Sequence, residues 1–279
     1  MIKKFARGNH ALNAMQREVV SSYLTDIWRL RYFWMSLVRV DLRAKYRRSI
    51  LGIGWSLMHP IFMTFVFCAV FATLFKLDVR TYAPFLLVGL AFWNFVSGIA
   101  HQGCQCFING EAYIRQQSAP MAIYPLRTTL ACGFHFLIAL VVAILLSFIF
   151  GGVHNALALV YLVPALVMLF LFGWCLALLC GVMNVLFQDT QHVIEILLQV
   201  LFYLTPIMYP PSMLAERRIG WIAGLNPLAG LVETLRRPIL EGLPPSLSAV
   251  GMVCGLVIVM ILLTAFTLSR LERRLVFYL

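Results

Sequence analysis

Few side chains in this sequence are of a type that can move a proton or hold an ion, and fewer still sit in apolar surroundings. Glu195 is the one carboxylate placed where a helix would enter a membrane, and an acid at such depth is a functional candidate by default. Solvation, or pairing with an arginine at the boundary, is the competing reading. His59 and His135 fall in uncharged stretches, where a histidine satisfied by a neighbouring helix is preferred over a proton relay. Cys104-Gln105-Cys106 is too tight for a CxxC redox or zinc pair, and no histidine stands at metal spacing. The seven cysteines therefore read as small core residues. The sequence contains no Gly-Lys pair, hence no phosphate-binding loop with its lysine. It also lacks HExxH, GxSxG and paired carboxylates on any extramembrane face. An ion-coupled carrier would carry more buried ionisable groups, so energy must arrive from outside the chain.

The elements that position these residues are membrane spans. The 279 residues are 62% hydrophobic and only 12% charged, too little polar surface for a soluble chain of this size to cover itself. The net charge of +11 does not indicate nucleic acid, because 11 of the 22 Lys and Arg lie in the first 48 residues. That concentration reads as membrane-surface anchoring. Those residues hold no short apolar core followed by a cleavage site, so no signal peptide is expected. A basic run, Lys45-Tyr46-Arg47-Arg48, gives way to a stretch from Ser49 to Phe75 without one Asp, Glu, Lys or Arg. At 1.5 Å per residue this crosses a hydrocarbon core of roughly 30 Å. Further apolar runs give spans at about 53–75, 84–100, 126–150, 157–187, 193–209 and 247–268. The fifth is interrupted by Pro206 and stopped by Pro210 and Pro211.

Six crossings divide the cations into 16 on the side of the termini and 6 on the other, which places both termini in the cytoplasm. Before the first span, Ser22 to Arg48 is amphipathic. Arg29, Ser36, Arg43 and Arg47 share one face, and Trp28, Tyr32, Met35 and Leu42 another. A helix lying in the membrane interface fits this pattern better than a solvated one. Asn109 to Tyr124 is long enough for a short cytoplasmic helix, and a tight Gln188-Asp189-Thr190-Gln191 turn joins the fourth and fifth spans. Pro210 to Ser246, external in this topology, is too apolar to lie in water and should dip back into the outer leaflet, with Asn226-Pro227 dividing it in two. Within it, Glu233 and Arg237 stand one turn apart and can pair. Aromatic residues line the spans: Phe62 and Phe65 on one face of the first, Phe67, Phe71 and Phe75 every fourth residue on another, and Phe202, Tyr203 and Tyr209 in the fifth. Such rings stack on sugar C–H faces, although the same spacing also serves lipid contact and helix packing.

Four stretches, in order, carry a resemblance. Tyr46-Arg47-Arg48-Ser49-Ile50-Leu51-Gly52 with Trp55 and Pro60 resembles the entry to the first span of ABC-2 type permeases that export polysaccharides such as O-antigen, capsule and teichoic acid. Asn109 to Pro125 is similar to that family's coupling segment. Asp189 with Tyr203-Leu204-Thr205-Pro206-Ile207-Met208-Tyr209-Pro210 is similar to its fifth-span signature. Asn226-Pro227-Leu228 with Glu233 and Arg236 is similar to its external gate. The matches run from about residue 28 to 274.

The resemblance implies an all-α integral membrane protein with six transmembrane helices. An interfacial helix would lie within residues 1–50, and a transmembrane domain would occupy 51–279 with a coupling helix between spans 2 and 3 and re-entrant gate helices between spans 5 and 6. It implies a homodimer in the bacterial inner (cytoplasmic) membrane, both termini cytoplasmic, working with two copies of a nucleotide-binding ATPase on a lipid-linked polysaccharide. ATP and magnesium would belong to the ATPase, leaving this chain without a cofactor or catalytic residue, in contact with membrane lipids but not nucleic acid. Glu111, Tyr113, Ile114 and Arg115 would couple to the ATPase, aided by Arg43 and Arg47 of the interfacial helix. Phe62, Phe65, Tyr203 and Tyr209 would approach the sugar path. Trp221, Asn226, Pro227, Glu233 and Arg237, within Met213 to Leu240, would form the gate. Many relatives carry Arg-Asp in the turn after the fourth span, whereas this chain has Gln188-Asp189 and loses any salt bridge from that cation. An ABC-2 exporter of lipids or drugs is the alternative. A membrane glycosyl- or acyltransferase is less well supported, because no acid, base or metal cluster gathers at either interface.

Overall fold

A computed structural model describes residues 22–116, 119–150, 155–211, 213 and 221–279. The basic leader at 1–20 with residue 21, residues 117–118 of the expected coupling segment, the break at 151–154, and 212 and 214–220 of the expected gate segment, with Arg217 and Arg218, lie outside the described residues. Among those described, the chain is helical and holds no strand. A helix over 22–29 (α1) leads through Leu30 into α2 (Arg31–Tyr46). The first span opens with a 3₁₀ turn, continues as α3 (Trp55–Phe67), widens into a π-turn at Cys68–Ala72 and closes with Thr73–Phe75. Lys76 ends it in the left-handed conformation (φ 53°). There follow α4 (Val79–Cys104), α5 (Glu111–Gln116), α6 (Ile123–Ile149), α7 (Leu162–Leu186, after a 3₁₀ turn at Ala156–Tyr161) and α8 (Thr190–Leu204). The chain closes with α9 (Trp221–Leu225), α10 (Pro227–Leu240) and α11 (Leu247–Tyr278).

Among the described residues, five segments are long and apolar enough to cross a bilayer: 52–72, 79–104, 123–149, 156–186 and 247–272. The second and last run past the expected spans because helix capping and polar and charged residues carry a helix on where hydropathy alone would end it. Asp78 accepts the Arg80 N–H at 3.1 Å and starts α4 at Val79, ahead of Pro84, the expected start of the span. The fifth span differs from expectation. Its helix, α8, has 15 residues and rises about 22 Å. It stops at Leu204 because Pro206 forces the preceding residue out of helical geometry, and Thr205 is extended (φ −92°, ψ 133°). Residues 205–209 are therefore not helical.

α4 is the centre of the bundle, with 78% of its span window buried against 22% for the first span and 17% for the last. It packs on α3, α6, α7, α8 and α10. Its approach to α7 is close because both surfaces are small: a Cβ on Gly103 would stand 2.8 Å from the Ala177 Cα, and one on Gly181 would stand 2.8 Å from the Gly103 carbonyl. Asn184 crosses the same seam to donate to the Cys104 carbonyl at 2.9 Å.

α2 does not lie free of the bundle. Ile27 and Leu37 are buried, and Trp34 donates its indole N–H to the Ile27 carbonyl at 3.1 Å. Trp28, Tyr32 and Met35, on the apolar face read from the sequence, are exposed, with the Arg31 guanidinium 4.6 Å from the Tyr32 ring. The opposite end of α2 is fixed by a two-pronged ion pair in which Arg127 of α6 donates Nε and Nη2 to the two oxygens of Asp41. In an Asp41→Ala variant, the Arg127 side chain, 14% exposed, loses its carboxylate inside the helix pack. The purified protein is expected to lose about 2 kcal/mol of stability, read as a lower thermal midpoint. Adding Arg127→Met should recover most of the loss. A double variant as unstable as the single would show that the pair is not what joins the two helices.

Candidate functional site

Two clusters of polar contacts stand out, one near each end of the bundle. At the basic end, α5 is a one-and-a-half-turn helix whose Glu111 and Arg115 pair at 2.9 Å, one turn apart and both exposed. Tyr113 is also exposed, and its ring meets Phe33 of α2 edge-on with centroids 6.1 Å apart. Ile114 turns inward, into a cluster with Ile27, Phe107, Tyr124 and Leu275. It therefore anchors α5, and the outward surface belongs to Glu111, Tyr113 and Arg115. Arg43 and Arg47 are exposed.

Behind α5 a strut joins three distant parts of the chain. Tyr23 donates its hydroxyl to Glu272 at 2.7 Å, and Glu272 accepts the Met121 N–H at 3.1 Å. The Ala122 N–H reaches the Tyr23 oxygen at 3.3 Å. Burial, reinforced by the neighbouring Glu272 charge, raises the Tyr23 pKa, so the phenol stays a neutral donor. The sequence reading missed this strut, since no spacing links residues 249 positions apart.

At the other end lies the broken α8. A helix that stops leaves carbonyls without partners, and here several are met by side chains from elsewhere in the chain. Asn226 donates to the Leu204 carbonyl at 3.3 Å and the Thr205 hydroxyl at 2.9 Å, while its own Oδ1 caps α10 by accepting the Leu228 N–H at 2.9 Å. Arg236, 6% exposed, donates to the Pro206 carbonyl, to Ile207 at 2.8 Å and to Phe85 at 3.2 Å, with the Phe85 ring 3.6 Å beneath its guanidinium. Tyr82 donates to the Met208 carbonyl, and Tyr209 to the Tyr203 carbonyl at 2.8 Å. Gly89 makes room: a Cβ there would stand 2.1 Å from Arg236 Nη2.

The residues expected to form a gate differ in their contacts. Asn226 and Pro227 form the start of α10, Pro227 at its first turn where a missing N–H costs nothing. Trp221 is exposed. The expected Glu233–Arg237 pair does not form. Arg237 reaches Glu241 at 3.2 Å, and Glu233 accepts a hydrogen bond from Ser246 at 2.6 Å. α10 is buried along Leu228, Leu231, Val232, Leu235 and Ile239, so it dips into the protein.

Of the rings expected to approach a sugar path, Phe62 and Phe65 are 57% and 71% exposed, and no ring contact joins them to another described aromatic residue. Tyr203 is exposed and edge-on to Phe202 at 5.4 Å, beside the half-buried Tyr209. Glu195 has no arginine partner among the described residues; its carboxylate is 3.9 Å from His101 and 3.8 Å from His192. Asp189 makes no ion pair among them. His135 is satisfied by neighbouring elements, hydrogen-bonded at 3.0 Å to both Tyr46 and Ser56, while His59 lies 3.4 Å from the Asn94 amide.

The profile of the ABC-2 type transporter family matches residues 32–240, from α2 to the end of α10. The chain belongs to the ABC-2 type transporter family. Both polar clusters of this ABC-2 chain have parts inside the matched region. Two relatives from Klebsiella pneumoniae, each named O-antigen export system permease protein RfbA, are 27% and 26% identical over 205 residues, covering 72% of this chain and 78% of theirs. A Myxococcus xanthus protein of the same name is 24% identical over 210 residues, covering 75% and 80%.

Arg236→Met in this ABC-2 transporter chain removes every guanidinium donor from the break after α8. An Ile207→Cys side chain, at a position fully buried in the parent, is then expected to react with a water-soluble maleimide about tenfold faster, a shift of about 1.4 kcal/mol in the opening equilibrium. Unchanged labelling would mean that Arg236 does not hold the break shut.

Proposed function

We propose that this chain is the permease subunit of an ATP-driven exporter that moves a lipid-linked polysaccharide across the bacterial inner membrane. The observation that carries the reading is the family match together with the O-antigen export named for its relatives. The geometry adds support for its parts. The chain acts as a homodimer with two ATPase partners, which bind the ATP and magnesium; this chain holds neither. Both termini are cytoplasmic, so α5 presents Glu111, Tyr113 and Arg115 to the ATPase, with Arg43 and Arg47 of α2 nearby. The exposed rings of Phe62, Phe65 and Tyr203 border the sugar path between the two copies.

A push on α5 is passed on by packing. Tyr113 bears on Phe33, Ile114 is set among α1 and α11 side chains, and the Tyr23–Glu272 strut and the Asp41–Arg127 pair join α1, α2, α6 and α11. These elements move together, and the partner's closure is converted into separation of the permease copies. The ligand changes that equilibrium only through a difference in affinity between its two states.

Replacing Tyr113 and Arg115 together by alanine is expected to leave membrane insertion intact and cut transport-coupled ATP hydrolysis of the assembled transporter by about tenfold. Full coupling in that double variant would remove α5 from the docking surface. An exporter of lipids or drugs is set apart by Phe62→Ala with Phe65→Ala: loss of glycan export with ATPase assembly retained supports the polysaccharide path, and unimpaired glycan export argues against it.

A further inference from the structure

Between α2, α3, α4 and α6 the bundle is not filled. A cleft of about 370 Å³ is bordered by Trp55, Ser56, His59, Asn94, Gly98 and His135, among others. A second cavity of about 240 Å³ adjoins it towards Asp41 and Arg127, and the two share Lys45, Gln102 and His135. The larger one lies within the span of roughly 300–1,000 Å³ usual for small-molecule sites. Asn94 stands ten residues from the end of α4, about 15 Å into the bundle, so the cleft reaches far into the half of the membrane nearest α2.

Polar groups at such depth are costly unless matched. Part of the lining is matched: Tyr46, Ser56 and His135 bond one another, and Asp41 is spent on Arg127. The remainder is not. The half-buried Asn94 amide, deep in the cleft, has only His59 at 3.4 Å, while Gln102, exposed near the end of α4, makes no side-chain hydrogen bond among the described residues. Lys45 makes no ion pair among them, and Asp41, already neutralised, is the one carboxylate on either lining. Gln102 and Asn94 are two turns apart on α4 with Gly98 between, so the wall between the amides is bare backbone. Trp55, also on the lining, is half exposed.

Two amides with spare donors and acceptors, an indole face and one unpaired ammonium at the mouth match a pyranose joined to phosphate. The amides take ring hydroxyls, the indole takes the C–H face, and the ammonium takes the anion. We infer that this cleft receives the phosphorylated first sugar of the lipid carrier before the chain is passed outward. The inference rests on the exporter reading, but it places recognition inside each copy rather than at the seam between two.

The test measures binding to the purified permease in phosphatidylcholine nanodiscs. The probes are geranyl diphosphate carrying glucose, galactose or N-acetylglucosamine, bare geranyl diphosphate, and phosphatidylglycerol as competitor. At least one glycosylated probe should bind about tenfold tighter than the bare diphosphate. Asn94→Leu and Gln102→Leu should remove that advantage, while Lys45→Gln should weaken all diphosphates alike. Gly98→Met should block the cleft; a Cβ there meets its nearest atoms at 3.7 and 3.8 Å, so the fold accepts it. Equal binding by parent and Gly98→Met would overturn the inference, as would displacement by phosphatidylglycerol at equal concentration. Glycan export with the ATPase present separates the two readings. Parental export by Gly98→Met sinks the cleft and leaves the exporter, whereas a parent that binds the probes but exports no glycan sinks the exporter.

Discussion

A chain that abandons helical geometry within a bilayer must find a donor for every carbonyl it frees, because lipid offers none. From Leu204 to Met208 the carbonyls meet Asn226 before α10, the Ile207 N–H, Arg236 within α10 and Tyr82 on α4. The arrangement is reciprocal. Arg236 is tolerated in a buried position because carbonyls and the Phe85 ring surround its charge, and the carbonyls are tolerated because Arg236 is there. Neither half is stable alone, so α10 and the end of α8 form one unit.

The basic end is built on another principle. Contacts there tie outlying helices to the central bundle through carboxylates: Glu272 collects Tyr23 and the backbone before α6, and Asp41 collects Arg127. Apolar packing of Ile27, Phe107, Ile114, Tyr124 and Leu275 fills the space between. Together these contacts make the basic end stiff. At the opposite end, hydrogen bonds to a broken backbone can be exchanged without opening an apolar core.

The bundle was readable from the sequence because hydropathy and charge fix where apolar runs begin and end, and the order of four motifs fixed the family. α5 and the division of the gate at Asn226-Pro227 were also visible, since caps and prolines act locally. What stayed hidden depends on distance. Arg236 was counted as an external cation, although it stands four residues after Val232 on the apolar face of its helix, a signal that could have marked it as buried. Asp41 is the lone acid of a basic helix, which hints at a partner without naming Arg127. Glu233 and Arg237 had the right spacing and still chose other partners, because Glu241 and Ser246 stand closer in the fold. The residues around the cleft come from Lys45 to His135, and no periodicity gathers them.

The π-turn at Cys68–Ala72 changes how the first span presents its rings. Each π-turn absorbs one residue more than an α-turn, which swings everything beyond it by about 100° around the axis. The every-fourth-residue phenylalanine ladder is therefore not a straight rail. Phe62 and Phe65 look one way from the lower shaft, and Leu74 and its neighbours are indexed separately above. The two halves of this helix can thus answer to different surroundings, one sliding against a moving neighbour while the other keeps its seat.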